Sequence, residues 1–191
     1  MRVCTAVLPL LLLLMCGVSA AQEPSSRLAP KVDNDFVQRE FGSSCTMVDG
    51  QSAVAADING DGVEDLVVPA RCSNPMIDQA EHRFTVLDPY YDFFGYGDPK
   101  ITSSFITDDP ANKGLVVLVI HGSGPEAWYS PKAKFVLINL AFKQVSVKKM
   151  ALGKKKLMAI YTEETGAERN VAAIFWDGKK YKYEPMGSTL N

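Results

Sequence analysis

Nine residues, Asp57-Ile58-Asn59-Gly60-Asp61-Gly62-Val63-Glu64-Asp65, constrain this chain more than any other stretch. Oxygen-bearing side chains stand at positions one, three, five and nine: Asp57, Asn59, Asp61 and Asp65. Ca2+ is a hard cation that gathers six to eight oxygens, so a tight turn must aim several of them at one point. Gly60 and Gly62 permit such a turn, because glycine reaches positive φ without a Cβ clash. Val63, at position seven, would contribute its backbone carbonyl. An EF-hand loop ends on a bidentate Glu at position twelve, and here that position is Val68. Ser52 to Ala56 before the loop and Leu66 to Ala70 after it are short runs bounded by turn residues, which read as strands rather than long helices. The unit is therefore strand, loop, strand, with Asp65 standing in for the missing Glu. A metal-free hairpin turn is the other reading of the same residues, but such a turn does not need four oxygens in this register.

The run Ala55 to Val68 resembles the calcium loop of the FG-GAP (VCBS-type) repeat of integrin-like β-propellers, and Phe41-Gly42 upstream is similar to the dipeptide that gives the repeat its name. The resemblance implies Ca2+ held by Asp57, Asn59, Asp61, the Val63 carbonyl and Asp65. It covers residues 41–70 only, and the motif has one clear copy. Apolar strands beginning near Leu66, Leu115 and Val171 have blade-like spacing, but three blades do not close a propeller, which usually needs at least four. The expectation is a mainly β fold: a compact antiparallel sheet domain with propeller-blade-like hairpins and one short N-terminal helix.

Residues 1–21 read as a cleaved signal peptide. Arg2 supplies a positive start, Val7 to Met15 an apolar run too short to span a membrane comfortably, and Val18-Ser19-Ala20 small residues of the kind found at cleavage sites. Leu13-Leu14-Met15-Cys16 opens a lipid-anchor alternative at Cys16, although a lipobox wants a small residue where Met15 stands. Residues 22–32 read as a flexible linker, 33–187 as one domain with the loop at 57–65, and 188–191 as a loose tail. The chain is then secreted or periplasmic, with no stable membrane span after cleavage. Removing residues 1–21 leaves Cys45 and Cys72, and an even cysteine count in an exported chain suggests a disulfide. This one would enclose the whole calcium hairpin. A zinc site is not expected, since two cysteines without a nearby His pair lack the ligand spacing.

Asp33-Asn34-Asp35 can cap a short helix through Phe41 that Gly42 stops. Residues 83–88 could form a strand, and 89–99, rich in aromatics, glycine and proline, read as an irregular loop pinned by its own rings. Leu115 to Ile120 is a buried strand. Further strands are expected at 134–140, 144–147, 157–161 and 170–176. Asp177-Gly178 is a hairpin turn signal with the chain returning at 181–183.

The chain's net charge of −2 gives no footprint for nucleic acid. Three other segments bear on function. Val119-Ile120-His121-Gly122-Ser123-Gly124 is similar to the His-Gly oxyanion segment of α/β-hydrolases, but the chain has no Gly-x-Ser-x-Gly elbow and His82 is its only other histidine. The tyrosine-rich stretch 90–96 could form an aromatic-lined surface for a glycan or peptide. Lys148, Lys149, Lys154, Lys155 and Lys156 read as a solvated turn whose charges protect a sheet edge, or as a contact for an anionic surface. The sequence points first to a calcium-stabilised module that meets an extracellular protein or glycan, with a small secreted hydrolase as the enzymatic alternative.

Overall fold

The computed structural model describes residues 31–95, 110–164 and 170–188. The signal-peptide segment with Cys16, nearly all of the linker, Tyr96 and most of the tail lie outside the described residues. Among the described residues no helix is long and apolar enough to cross a membrane.

The fold is mainly β with antiparallel sheets, as the sequence implies. Helix α1 (Asn34–Phe41) begins where Asp33 Oδ1 accepts the Phe36 N–H at 3.1 Å and ends at Gly42. It leads to β1 (Cys45–Met47), β2 (Val54–Ala56) and β3 (Asp65–Cys72). Then follow α2 (Pro75–His82), β4 (Thr85–Leu87), α3 (Pro89–Phe94) and β5 (Leu115–His121). A 3-10 turn (Gly124–Tyr129) precedes β6 (Ala133–Leu137), and β7 (Gln144–Leu152), β8 (Lys155–Glu163), β9 (Asn170–Trp176) and β10 (Tyr181–Ser188) complete the chain.

The first sheet runs β1-β3-β5-β6-β4, with β2 also paired to β3. The second is the meander β7-β8-β9-β10, the strand count of one propeller blade. In the first sheet β4 pairs parallel to β6, and the remaining pairs are antiparallel. β3 and β5 are continuous apolar runs because both of their faces are covered. Leu66, Val68, Val116, Leu118 and Ile120 face a core closed by Phe36, Val37 and Phe41 of α1. Val67, Val117 and Val119 face Val145, Ile160, Ile174 and Tyr181 of the second sheet. Three layers result: helix, sheet, sheet.

Pro69 sits in the middle of β3, a position that costs a ladder hydrogen bond in a central strand. Here its carbonyl accepts from Val48 N–H at 3.1 Å. The absent N–H faces the same edge, where β1 has ended at Met47 and β2 has not begun at Val54. The disulfide Cys45–Cys72 joins directly opposed residues of β1 and β3 and encloses the 57–65 loop.

Helix α2 lies in a stretch where the sequence announces no helix, and α3 occupies the start of the irregular loop read at 89–99. Each starts on a side-chain cap followed by proline: Asn74 Oδ1 accepts from Met76 N–H, and Asp88 Oδ1 from Tyr91 N–H. Proline suits the first helical turn, where its missing N–H has no partner to lose. The lysine stretch is also more ordered than a turn. β7 and β8 pair through Leu152↔Lys155, leaving Gly153 and Lys154 as the connection. Lys148 and Lys149 thus lie on an edge strand of the second sheet, where charge discourages pairing with another chain.

Candidate functional site

The loop between β2 and β3 is organised around the four side chains that the sequence singles out. Every backbone N–H from Ile58 to Val63 donates to a side-chain oxygen of Asp57, Asn59, Asp61 or Asp65. Asp57 takes Gly60 (2.8 Å) and Asp61 (3.1 Å) on Oδ1 and Gly62 (3.0 Å) on Oδ2. Asn59 Oδ1 also accepts the Asp61 N–H, at 2.8 Å, so oxygens of positions one and three converge on one amide. Asp61 Oδ1 accepts from Val63 N–H at 2.9 Å. Gly60 and Gly62 take φ of 77° and 82°, the left-handed region that the turn demands. Asp61 Oδ2 meets Lys132 Nζ at 3.4 Å. Slight burial pushes the Asp61 carboxyl up, but the Val63 N–H, the Asn59 amide and the Lys132 charge together hold it below the usual carboxylate value.

Asp65 differs from the other three. It is fully buried. Its Oδ2 accepts from Ile58 (2.9 Å) and Asn59 (3.1 Å), and its Oδ1 from Gly122 N–H (2.9 Å), just beyond β5. It therefore ties both ends of the loop to the neighbouring strand. Burial raises the Asp65 carboxyl above its ordinary value against the pull of these three donors, and the Asp61 charge adds to the rise. Gly122 stands where the loop crosses. A Cβ there would come within 2.4 Å of the Glu64 carbonyl oxygen and of the Ala127 carbonyl carbon. Close approach of backbone explains this glycine.

The donor set has the chemistry a hard cation requires. Two carboxylates, one amide oxygen and one backbone carbonyl lie within a turn whose amides already hold the side chains in place. A carboxylate oxygen has two lone-pair sites. Asp57 Oδ2 accepts one N–H and keeps a site free, and so does Asp65 Oδ1, whereas both sites of Asp65 Oδ2 are taken. Asp65 can thus offer one oxygen but not a bidentate pair. Among the described residues no three His, Cys, Asp or Glu side chains form a group that could hold a metal ion. Asp57, Asn59 and Asp61 fit a cation best, and Asp65 acts in this structure as a clamp.

His121 is buried at the end of β5. Its Nε2 shares a hydrogen bond of 2.7 Å with the Tyr181 hydroxyl. Phe135, Trp176 and Tyr181 surround it with ring centroids 4.9, 5.0 and 5.8 Å away. Burial pulls its pKa down to about 4, although the Asp61 charge opposes this. Burial also raises the Tyr181 phenol well above its usual value. The pair joins the two sheets, and burial favours the neutral imidazole. The N–H groups that an oxyanion segment would present are engaged, Gly122 with Asp65 and Ser123 with the Ala127 carbonyl. Ser123 Oγ donates to the Ser130 carbonyl at 2.9 Å.

The described part of the tyrosine-rich stretch forms α3 against β10. Tyr90 meets Tyr183 edge-on at 5.3 Å, and Asp92 pairs with Lys180 at 2.8 Å and Lys182 at 3.4 Å. The stretch is pinned by its rings, as the sequence suggests, but as a helix. Sequence reasoning missed three features. The Asp65–Gly122 and His121–Tyr181 bonds span 57 and 60 residues, beyond the reach of local pattern. A cationic cleft at the helix ends, treated below, draws on three separate segments. No family model, no curated protein and no solved structure matches the chain.

Proposed function

We propose that the chain is an exported calcium-binding β domain that acts as an interaction module for an extracellular protein or glycan, with the ion serving structure rather than chemistry. The observation that carries this reading is the loop at 57–65: six consecutive amides donate to four oxygen-bearing side chains at the register of a calcium loop. The residues that would hold Ca2+ are Asp57, Asn59, Asp61, the Val63 carbonyl and one oxygen of Asp65. When bound, the ion supplies positive charge to a loop that otherwise sets Asp57, Asp61 and Asp65 near one another with Lys132 as a nearby cation. The chain's own residues then do the mechanical work. Asp65 holds the loop to Gly122, and the disulfide holds β1 to β3 around it.

Binding to the folded state alone adds stability by mass action, about 2.7 kcal/mol at a ligand concentration one hundred times Kd. Extracellular modules work at roughly 10⁻⁴–10⁻³ M. A metal-free turn is the rival reading, favoured by the spent Oδ2 of Asp65. Isothermal titration of the wild-type protein and Asp61→Ala with calcium separates the two. The calcium reading expects a saturable one-site isotherm in wild type and its loss in the variant. No heat in wild type, or an isotherm unaltered by Asp61→Ala, refutes it.

A further inference from the structure

On the outer side of the first sheet, a cleft of about 520 Å³ opens where the C-terminal ends of α1 and α2 meet the start of β6. Arg39, Arg83, Lys132 and Lys134 line it together with His82 and a single carboxylate, Glu81. The whole chain has a net charge of −2, so four cations around one cleft are not a reflection of composition. Glu40 pairs with Arg39 and Lys134, and Asp61 with Lys132. Setting these two carboxylates and Glu81 against four cations leaves one positive charge in excess.

Arg83 stands apart from the other three cations, each of which has a carboxylate partner. Among the described residues its guanidinium has no ion pair or hydrogen bond. It occupies the left-handed position after α2 with φ of 54°, a site that ordinarily takes glycine or asparagine. Retaining arginine there carries a conformational cost, of the kind that accumulates at functional sites. The other groups are held in place. Lys134 Nζ donates to the Glu40 carbonyl at 2.7 Å, with the side chain only 13% exposed. The Arg39 guanidinium lies 5.1 Å from the Phe36 ring centroid. His82 Nδ1 lies 3.1 Å from the Arg39 carbonyl oxygen. A carbonyl only accepts, so Nδ1 carries a proton and the contact fixes the ring against the end of α1.

We propose that this cleft binds an oxyanion: a phosphate or sulfate group carried on a small organic molecule. Arginine forks match tetrahedral oxyanions in a bidentate way, and lysine adds a compact charge. The cleft volume lies in the range of small-molecule sites and greatly exceeds what a bare anion fills. Lys132 connects the cleft to the loop through Asp61, so the site is tested without metal. The rival account is that these cations only serve the carbonyl ends of two helices, where positive charge is favourable.

Arg83→Gly distinguishes the two, because glycine suits the backbone at that position while the guanidinium is lost. The oxidised protein is melted in chelator at constant ionic strength with sodium phosphate, sodium sulfate or sodium chloride. It is also titrated with glucose 6-phosphate, with glucose as the neutral control. Phosphate and sulfate are expected to raise the midpoint above the chloride value. Arg83→Gly should melt no lower than wild type in chloride and bind phosphate about tenfold more weakly, with Lys134→Gln weakening binding independently. Glucose 6-phosphate should bind more tightly than inorganic phosphate. Equal midpoints in all three salts, or an undiminished phosphate effect in Arg83→Gly, overturns the site. Glucose 6-phosphate binding no better than phosphate overturns its organic ligand.

Discussion

Replacing Asp65 by asparagine tests the clamp at the centre of this structure. The carboxylate accepts three N–H groups, from Ile58, Asn59 and Gly122. Asparagine keeps one acceptor and turns the other into a donor. In its better orientation the amide oxygen serves Ile58 and Asn59, and the NH2 group faces the Gly122 N–H. Two buried donors, the Gly122 N–H and the new NH2, are then unsatisfied, at about 1 kcal/mol each at the least, and two charge-assisted bonds become neutral ones at about 1 kcal/mol each. Removing a buried charge, whose cost shows in the raised Asp65 carboxyl, offsets part of this. The net is a loss of about 3 kcal/mol. For a domain of this size each kcal/mol moves the midpoint by about 2–4 °C, so Asp65→Asn should melt about 6–12 °C lower. The assay is thermal unfolding followed by circular dichroism in chelator, so that no metal contributes. The neighbouring exposed carboxylate serves as control: Glu64→Gln should leave the midpoint in place. An Asp65→Asn midpoint equal to that of the control would refute the clamp.

Three other expectations follow from the same structure. Cys45→Ser with Cys72→Ser removes a cross-link between residues 27 apart, which the chain-entropy estimate values at about 3.5 kcal/mol in denaturant unfolding; a cost under half of that would contradict this account of the bridge. His121 binds its proton more weakly folded, at about 4, than unfolded, at 6.5. The unfolded chain therefore takes up the proton first as pH falls. Stability from this group is complete above pH 6.5 and is lost between pH 6.5 and about pH 4, by about 3 kcal/mol; His121→Phe should flatten that segment of the stability–pH curve, and an unchanged slope would refute the assignment. Asp61→Ala removes a carboxylate whose partner Lys132 is exposed, and such pairs are worth little; its midpoint in chelator should match or exceed wild type, and a clear drop would mean that Asp61 holds the fold itself.

The sequence is most readable where a local rule decides the outcome. Asp33 and Gly42 bound α1 because a cap and a stop act within a few residues. Asp177 turns the β9–β10 hairpin by accepting the Lys179 and Lys180 N–H groups. The unbroken apolar runs of β3 and β5 reflect layers on both sides. At 57–65 the residue spacing identifies the loop and the amides it gathers. What stays hidden there is the split of labour, with Asp65 turned inward to Gly122 and the other three left at the surface. That depends on β5 passing the loop, which no local pattern records. Helices α2 and α3 were legible in principle from Asn74-Pro75 and Asp88-Pro89, each a cap with proline in the first turn. At α3 the neighbouring glycines and aromatic residues make the stretch look like loop, and α2 is too short and too weakly apolar to announce itself. The parallel pairing of β4 with β6 and the His121–Tyr181 bond are purely tertiary. The cleft needs α1, α2 and the start of β6 together, so its charges are scattered along the chain.

The most direct test of the central claim is thermal unfolding of the oxidised protein in calcium, in magnesium and in chelator. With Kd near 10⁻³–10⁻⁴ M, 10 mM calcium stands at about 10–100 times Kd and adds about 1.4–2.7 kcal/mol. This corresponds to a rise of about 3–10 °C. The account predicts that rise in calcium, none in magnesium, and its loss in Asp61→Ala. Coincident midpoints in calcium and chelator would contradict it and leave residues 57–65 as a turn that needs no metal.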